Sequence, residues 1–457
     1  MDFKTTRTTF SLTLLLILIL GWCGQVSAIS PKDNELIRKG RDLFLNATFG
    51  GNGRTCASCH PEENNFTLDP KFIATTPDND PLFVHEFDPK LAELEDAVLL
   101  RKFGLFLENV DGFDNPPVFR GVPHNIGLKT SIEHNDSNLT SRGIGHALGW
   151  SGDGSTDGSL NGFAVGAIIQ HFPKTLNRIE GEDFILPTQE EKDAIEAFML
   201  SLGRQEEIDL ANMDFKSSMA NLGKQLFFSP VSGPCNACHA NAGANSINAG
   251  GKVNFDIGVE NLLAAPHILE NPTLARDAGL GGEPNLEGGF GDGSFNTPPL
   301  VEAADTPPFF HNNAVNNIES AVAFYTSDAF RNSPAAQHLG SDVQLDTSEV
   351  QAIAAMLRTL NALENIRSSL EVDKKVKTYY DIPKGKEKLY PALFDSEDAY
   401  QVLEGMEYNL YGDATDLLKQ AYAQELAAYE SNDINHRNQY LSKAIYLKKK
   451  AKKLMVH

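Results

Sequence analysis

Two stretches of the chain carry one hydrophobic rhythm. TQEEKDAIEAFMLSL from Thr188 and DTSEVQAIAAMLRTL from Asp346 each open with a threonine or serine suited to an N-cap, then set apolar residues at helical spacing. Both predict amphipathic helices. Ahead of each lies a second shared pattern, GRDLFLNATFGGNGRTCASCH from Gly40 and GKQLFFSPVSGPCNACH from Gly223. These predict a helix ending in a Leu-Phe pair, a polar loop and a short cysteine motif. The chain therefore divides into two halves on one plan, residues 29–205 and 206–368, joined inside by long stretches rich in Gly, Pro, Asn and Asp. After residue 368 the pattern becomes amphipathic and helical without cysteine, which predicts a helical extension over 369–457.

The first residues follow another rule. Lys4 and Arg7 precede an apolar run from Phe10 to Trp22, and Val26, Ser27 and Ala28 supply the small residues of a cleavage site. Residues 1–28 thus read as an export signal, because the run falls short of the roughly 20 residues needed to span a bilayer. Cys23 follows the bulky Trp22, where a lipid-modified cysteine would follow a small residue. The mature chain is expected in the periplasm or otherwise outside the cytoplasm.

Composition narrows the partners. The 457 residues are 41% hydrophobic and 22% charged, as in an ordinary globular protein. Without the signal, 37 basic residues face 60 acidic ones, a formal charge of −23. Nucleic acid binding needs the opposite sign, whereas a basic redox partner protein suits this balance. The lysine-rich end from Lys443 to Lys453 could meet an acidic partner or anionic lipid, or form a solvated helical face.

Four cysteines remain after cleavage, Cys56, Cys59, Cys235 and Cys238, in two copies of Cys-x-x-Cys followed by His60 or His239. Zinc would need two further ligands at comparable spacing, and a redox dithiol has no use for the trailing histidine. Cys-x-x-Cys-His is the attachment signature of c-type haem, with thiols bonded to the porphyrin and the histidine bonded to iron. Two covalently bound c-type haems are expected. The fold class that follows is mainly α, with two cytochrome c-like domains, long irregular loops around the haems, and the C-terminal helical extension.

The second ligand of each iron is less obvious. No methionine lies between His60 and Met199, or between His239 and Met356, and these two methionines fall at core positions of the closing helices. Histidine, tyrosine, another side chain or an open position must serve.

The stretch DTPPFFHNNAVNNIESAVAFYTSDAF, residues 305–330, is similar to the second haem domain of bacterial dihaem cytochrome c peroxidases and MauG-type enzymes. There, Thr-x-Pro, an aromatic pair, His-Asp-Gly and a helix follow one another. The resemblance implies that Thr306 and Pro308 offer carbonyl oxygens to a calcium ion, and that Tyr325 is the ligand opposite His239, as in MauG-type enzymes. The plain alternative for Tyr325 is a buried tyrosine on an apolar helix face. His311 matches the family histidine, but Asn312 and Asn313 replace Asp-Gly.

In the first half, VFRGVPHNIGL resembles the stretch that ends in a calcium-binding asparagine, here Asn125, and GWSGDG resembles a Trp-Asp-Gly turn that makes Trp150 an electron relay or a packing residue. The pattern then departs from the family. Phe163 stands where a distal glutamine is expected, Ala167 replaces a proline, and Pro173 falls near the acid/base glutamate. Peroxide cleavage needs a polar group to move a proton. Gln170 and His171 are the nearest substitutes, with His171 readable as a proton shuttle, an iron ligand or a surface histidine. His85, His124, His134 and His146 are further histidines that the sequence does not rank.

The resemblance implies an exported dihaem oxidoreductase that reduces hydrogen peroxide with electrons from a donor, or a MauG-like oxidation of a substrate. Members of the group often pair as dimers. The alternatives are a non-enzymatic dihaem electron carrier and a haem subunit of a larger redox assembly.

Overall fold

The computed structural model describes residues 31–457 except 111, 132–158, 247–250, 253, 280–292, 341–342 and 407. The expected export signal, Trp150, His134 and His146 lie outside the described residues. The described part is mainly helical, and its strands form only two-stranded sheets. No described helix is long and apolar enough to cross a membrane.

In the first half, α1 (Pro31–Asn46) is followed by a one-turn helix at Cys56–Cys59, α2 (Ala97–Phe103), strands β1 (Leu105–Glu108) and β2 (Val118–Gly121), α3 (Leu160–His171) and α4 (Gln189–Leu200). The strands pair antiparallel, Leu105 opposite Gly121 and Glu108 opposite Val118. In the second half, α5 (Ser218–Phe227) precedes the one-turn helix Cys235–Cys238, and α6 (Ile318–Phe324) precedes the long α7 (Thr347–Val376).

The sequence repeat becomes a structural one at two helix crossings. α1 packs on α4, and α5 packs on α7. A Cβ on Gly40 would stand 1.8 Å from the carbonyl oxygen of Ala194, and one on Gly223 would stand 2.0 Å from that of Ala352. Each glycine is required because the partner backbone occupies the space a side chain would need. Phe44 and Phe198 meet edge to face beside the first crossing, ring centres 5.3 Å apart.

The predicted caps hold at one helix and shift at the other. Thr188 caps α4 in a capping box with Glu191, whose carboxylate accepts from the Thr188 backbone N–H at 2.8 Å. At α7 the cap is Asp346, one residue before the expected threonine, because its carboxylate reaches the Glu349 N–H at 2.9 Å. Met199 and Met356 are buried in apolar cores.

The expected boundary at residue 368 falls inside α7, which runs unbroken from the second half into the extension. No Pro or Gly interrupts it, and it is buried against α5 on one side and the extension on the other. The extension is α8 (Ile382–Glu404), α9 (Gly412–Glu430) and α10 (Ile434–Met455), packed consecutively and back on α7. Its interior holds a fully buried Lys448 whose ammonium lies 2.9 Å from Asp373 and also binds Glu425. Burying a lone cation would cost several kcal/mol, so the two carboxylates are a condition of placing it there.

Candidate functional sites at the two Cys-x-x-Cys-His motifs

Both cysteine pairs form a single helical turn that ends on the histidine. The His60 backbone N–H donates to Cys56 O at 2.9 Å, and the His239 N–H donates to Cys235 O at 2.8 Å. All four cysteines are free thiols. Burial pushes the Cys56, Cys59 and Cys235 thiols up to about 12 and Cys238 to about 11.

The histidines are treated alike. Nδ1 of His60 donates to Phe66 O at 2.8 Å, and Nδ1 of His239 donates to Pro298 O at 3.0 Å, with Gly243 O at 3.3 Å. Burial lowers both imidazoles to about 4, and the backbone acceptors only partly oppose it. A neutral ring with its proton fixed on Nδ1 keeps the lone pair of Nε2 for a metal, the arrangement that orients a ligating histidine.

The second motif opens on a large apolar cavity of about 1760 Å³, counting its open mouth. Phe227, Ile353, Leu357, Val322 and Phe330 line it, together with Cys235, Cys238 and His239. Tyr325 lines the same cavity, at the end of α6, with its ring 4.9 Å from that of Phe330. Burial, and then the two cysteines, hold its phenol well above the ordinary range. The donor set fits a covalent haem: two free thiols, one oriented imidazole, an apolar slot and a phenol on its wall. His311 sits at the cavity edge, stacked on Phe295 with ring centres 3.5 Å apart and bound to Glu260 at 2.8 Å. Asn313 takes the left-handed conformation, φ 53°, that the family glycine would take, and donates to Phe103 O at 2.8 Å.

The first motif has a different neighbourhood. Cys56 packs with Ile168 and Phe172, and Cys59 with Leu68, Phe83 and Phe106. Beside this apolar shell lies a buried charge network. Arg54 is wholly buried; its Nη1 donates to Glu95 Oε1 at 2.7 Å and its Nη2 to Leu82 O at 2.7 Å. Glu95 Oε2 accepts from the Leu107 N–H at 2.8 Å. His171, the last residue of α3, puts Nε2 2.9 Å from Glu108 Oε1 and Nδ1 3.5 Å from Glu95 Oε1.

Burial disfavours a charge on His171, but the carboxylates of Glu108 and Glu95 outweigh it and raise the imidazole to about 9. Burial would likewise raise Glu95, yet Arg54 and His171 hold it below the usual carboxylate range. His171 is close enough to His60 for its charge to depress the His60 imidazole. It is therefore a partly buried histidine between two carboxylates, which favour its charged form. Gln170 spends its amide protons on Leu107 O and Asn109 Oδ1, both at 3.1 Å, and so anchors α3 to β1. Phe163 packs on the core of the first half.

Two other histidines acquire places. His124 is buried, lines the second cavity, and is lowered to about 3 by burial, then by Arg204 and His60. His85 is buried with Nε2 3.7 Å from Glu86, and neither ring nitrogen makes a hydrogen bond.

The expected calcium donors are less well furnished. Asn125 and Thr306 are buried, and no three His, Cys, Asp or Glu side chains among the described residues converge to hold a metal.

Sequence reasoning missed Arg54, Glu95 and Glu108. Only Arg54, two residues before Cys56, stood near a recognisable signal.

No family model matches the chain, and no curated protein matches it. Among solved structures it is similar to a chain of Kuenenia stuttgartiensis hydrazine synthase pressurised with xenon, at 15% identity and a TM-score of 0.37. That likeness covers 78% of this chain and 98% of the other.

Proposed function

We propose that this chain is an exported redox protein with two covalently attached c-type haems, which reduces hydrogen peroxide with electrons from a partner protein. The observation that carries the reading is the duplicated motif with its paired histidines, each tied through Nδ1 to a backbone carbonyl. Bound there, a haem would supply a redox-active iron, its porphyrin tethered by two thioethers and its iron bonded to one imidazole.

The residues divide the work. Cys56, Cys59 and His60 hold the group at the first site, and Cys235, Cys238 and His239 hold it at the second. Tyr325, on the wall of the same cavity, would offer its phenol oxygen to the iron held by His239. Reduction of peroxide to two waters consumes two electrons and two protons, and His171 donates a proton to the departing oxygen. Glu108 and Glu95 keep His171 charged, and Arg54 keeps Glu95 ionised. Asn125, Thr306 and Pro308 would hold calcium weakly, since a hard cation favours carboxylate oxygens over neutral ones alone.

A dihaem electron carrier without peroxide chemistry is the second reading, favoured by Phe163, Ala167 and Pro173 at the positions of the family's polar groups. Electron paramagnetic resonance of the ferric protein, before and after stoichiometric peroxide, separates the two. One high-spin and one low-spin signal, with the high-spin signal lost on peroxide, is the expected result. Two low-spin signals indifferent to peroxide would overturn the enzyme and leave the carrier.

A further inference from the structure

We propose that electrons pass between the two sites through the Phe66–Thr67 segment, with Thr67 as the positioning residue that closes the route; this rests on the two-haem reading above. His60 Nδ1–H donates to Phe66 O at 2.8 Å, and the next peptide bond leads into Thr67, which is 4% exposed and lines the second cavity. The Thr67 hydroxyl donates to Val122 O at 2.5 Å, and Val122, Pro123 and His124 line the same cavity. From the His60 ring to the wall of the second cavity, every step is a covalent bond or a hydrogen bond.

Electron tunnelling decays more steeply across a van der Waals gap than along bonded atoms, so a fully bonded segment is favoured over a route with jumps. With haems held at both motifs, the segment would carry one electron at a time from the group at the Cys235 site, which would lose it, to the group at the Cys56 site, which would gain it. No proton moves along it, and no covalent bond breaks.

The backbone is bent at a cost to make this connection. Asn65 and Phe66 are both left-handed, φ 54° and 53°, a conformation that strains residues other than glycine. The bend turns the Phe66 carbonyl onto His60 while sending Thr67 toward the other half. Side chains hold it there: Asn64 Nδ2 donates to Thr67 O at 3.1 Å and to Asp69 Oδ2 at 3.0 Å, and Asn65 Nδ2 donates to Asp398 Oδ2 at 2.9 Å. The second half repeats the left-handed pair at Asn241 and Ala242, φ 54° and 60°. There, however, His239 bonds to Pro298, which lines its own cavity.

The test uses the haem-loaded full chain, with haem content fixed first by the pyridine haemochrome spectrum. Electrons are then injected at the second site by pulse reduction, and the inter-site step is followed by absorbance. Thr67→Val should slow that step about tenfold, while Thr67→Ser, which keeps the hydroxyl, and Trp150→Phe should match the parent. Midpoint potentials and ferric spectra of both sites should not move. Should Thr67→Val load poorly, Thr67→Ala also removes the hydroxyl without adding bulk, and the same slowing is expected. A parent-like rate in the variant lacking the hydroxyl, or slowing in Trp150→Phe alone, would overturn the route while leaving the two-haem reading intact. A parent protein without two haems would overturn both.

Discussion

The two Cys-x-x-Cys-His motifs share a scaffold and differ in what is buried beside them. Each follows a helix whose glycine, Gly40 or Gly223, touches the backbone of a closing helix, and each ends in a histidine tied through Nδ1. Around the second, the lining is apolar, with the Tyr325 side chain on the wall. Around the first, the fully buried Arg54 and Glu95 connect to the partly buried His171 and Glu108, four ionisable side chains in one network. Buried charge is costly and persists only when paired. The lesson is that a duplicated frame repeats the motif and its oriented histidine, while the difference lies in the neighbours: paired charges beside one site and an apolar lining around the other.

The largest way to break this contrast is to remove the proton donor. General acid catalysis contributes typically about 10²–10⁴-fold, so His171→Gln should lower the peroxide rate constant by that order. Stopped-flow mixing would read the rate, and the second site's spectrum should stay unchanged. An unaltered rate would mean that the charge network is structural only. Glu95→Gln comes next. It leaves Arg54 buried with no carboxylate partner and should destabilise the protein by about 3–5 kcal/mol, read by chemical denaturation. No comparable loss is expected from any single change in the apolar lining of the second cavity that keeps its volume.

How much of this was legible in the sequence follows from how far each signal reaches along the chain. The motifs, the Thr188 cap and the buried Met199 and Met356 are local or periodic, and the structure keeps them. The mainly helical class followed from the same periodicity. Glu95, Glu108 and His171 are brought to Arg54 from three separate segments, and long-range pairing leaves no period to read. Thr67 was invisible for the same reason, because its role depends on Val122 across the fold. The continuity of α7 through residue 368 was missed because composition changes there while helical character does not. Trp150 lies outside the described residues, so its expected role rests on the family resemblance alone.

The pH dependence sharpens the comparison further. His171 is raised from 6.5 to about 9, so the stability its charged form contributes is fully present below 6.5 and is lost as pH rises through about 9. The difference in unfolding free energy between the parent and His171→Gln should therefore be constant on the acid side and shrink across that window. The peroxide rate should fall over the same window as the imidazolium is lost. A difference that stays flat through pH 9 would show that Glu108 and Glu95 do not hold the proton.

The smallest expected effect concerns the second site and is spectroscopic. If Tyr325 is the ligand opposite His239, Tyr325→Phe removes the only oxygen of that side chain while keeping its ring against Phe330 and Phe324. The low-spin ferric signal of the second site should shift, and the potential should rise, because a phenolate stabilises ferric iron more than its absence does. Stability should change little, since the aromatic packing survives. The first site should react with peroxide as before, because the His171 network lies in the other half of the molecule. A second-site signal unmoved by Tyr325→Phe would reduce the tyrosine to a packing residue, and the contrast between the sites would then rest on the buried charges of the first alone.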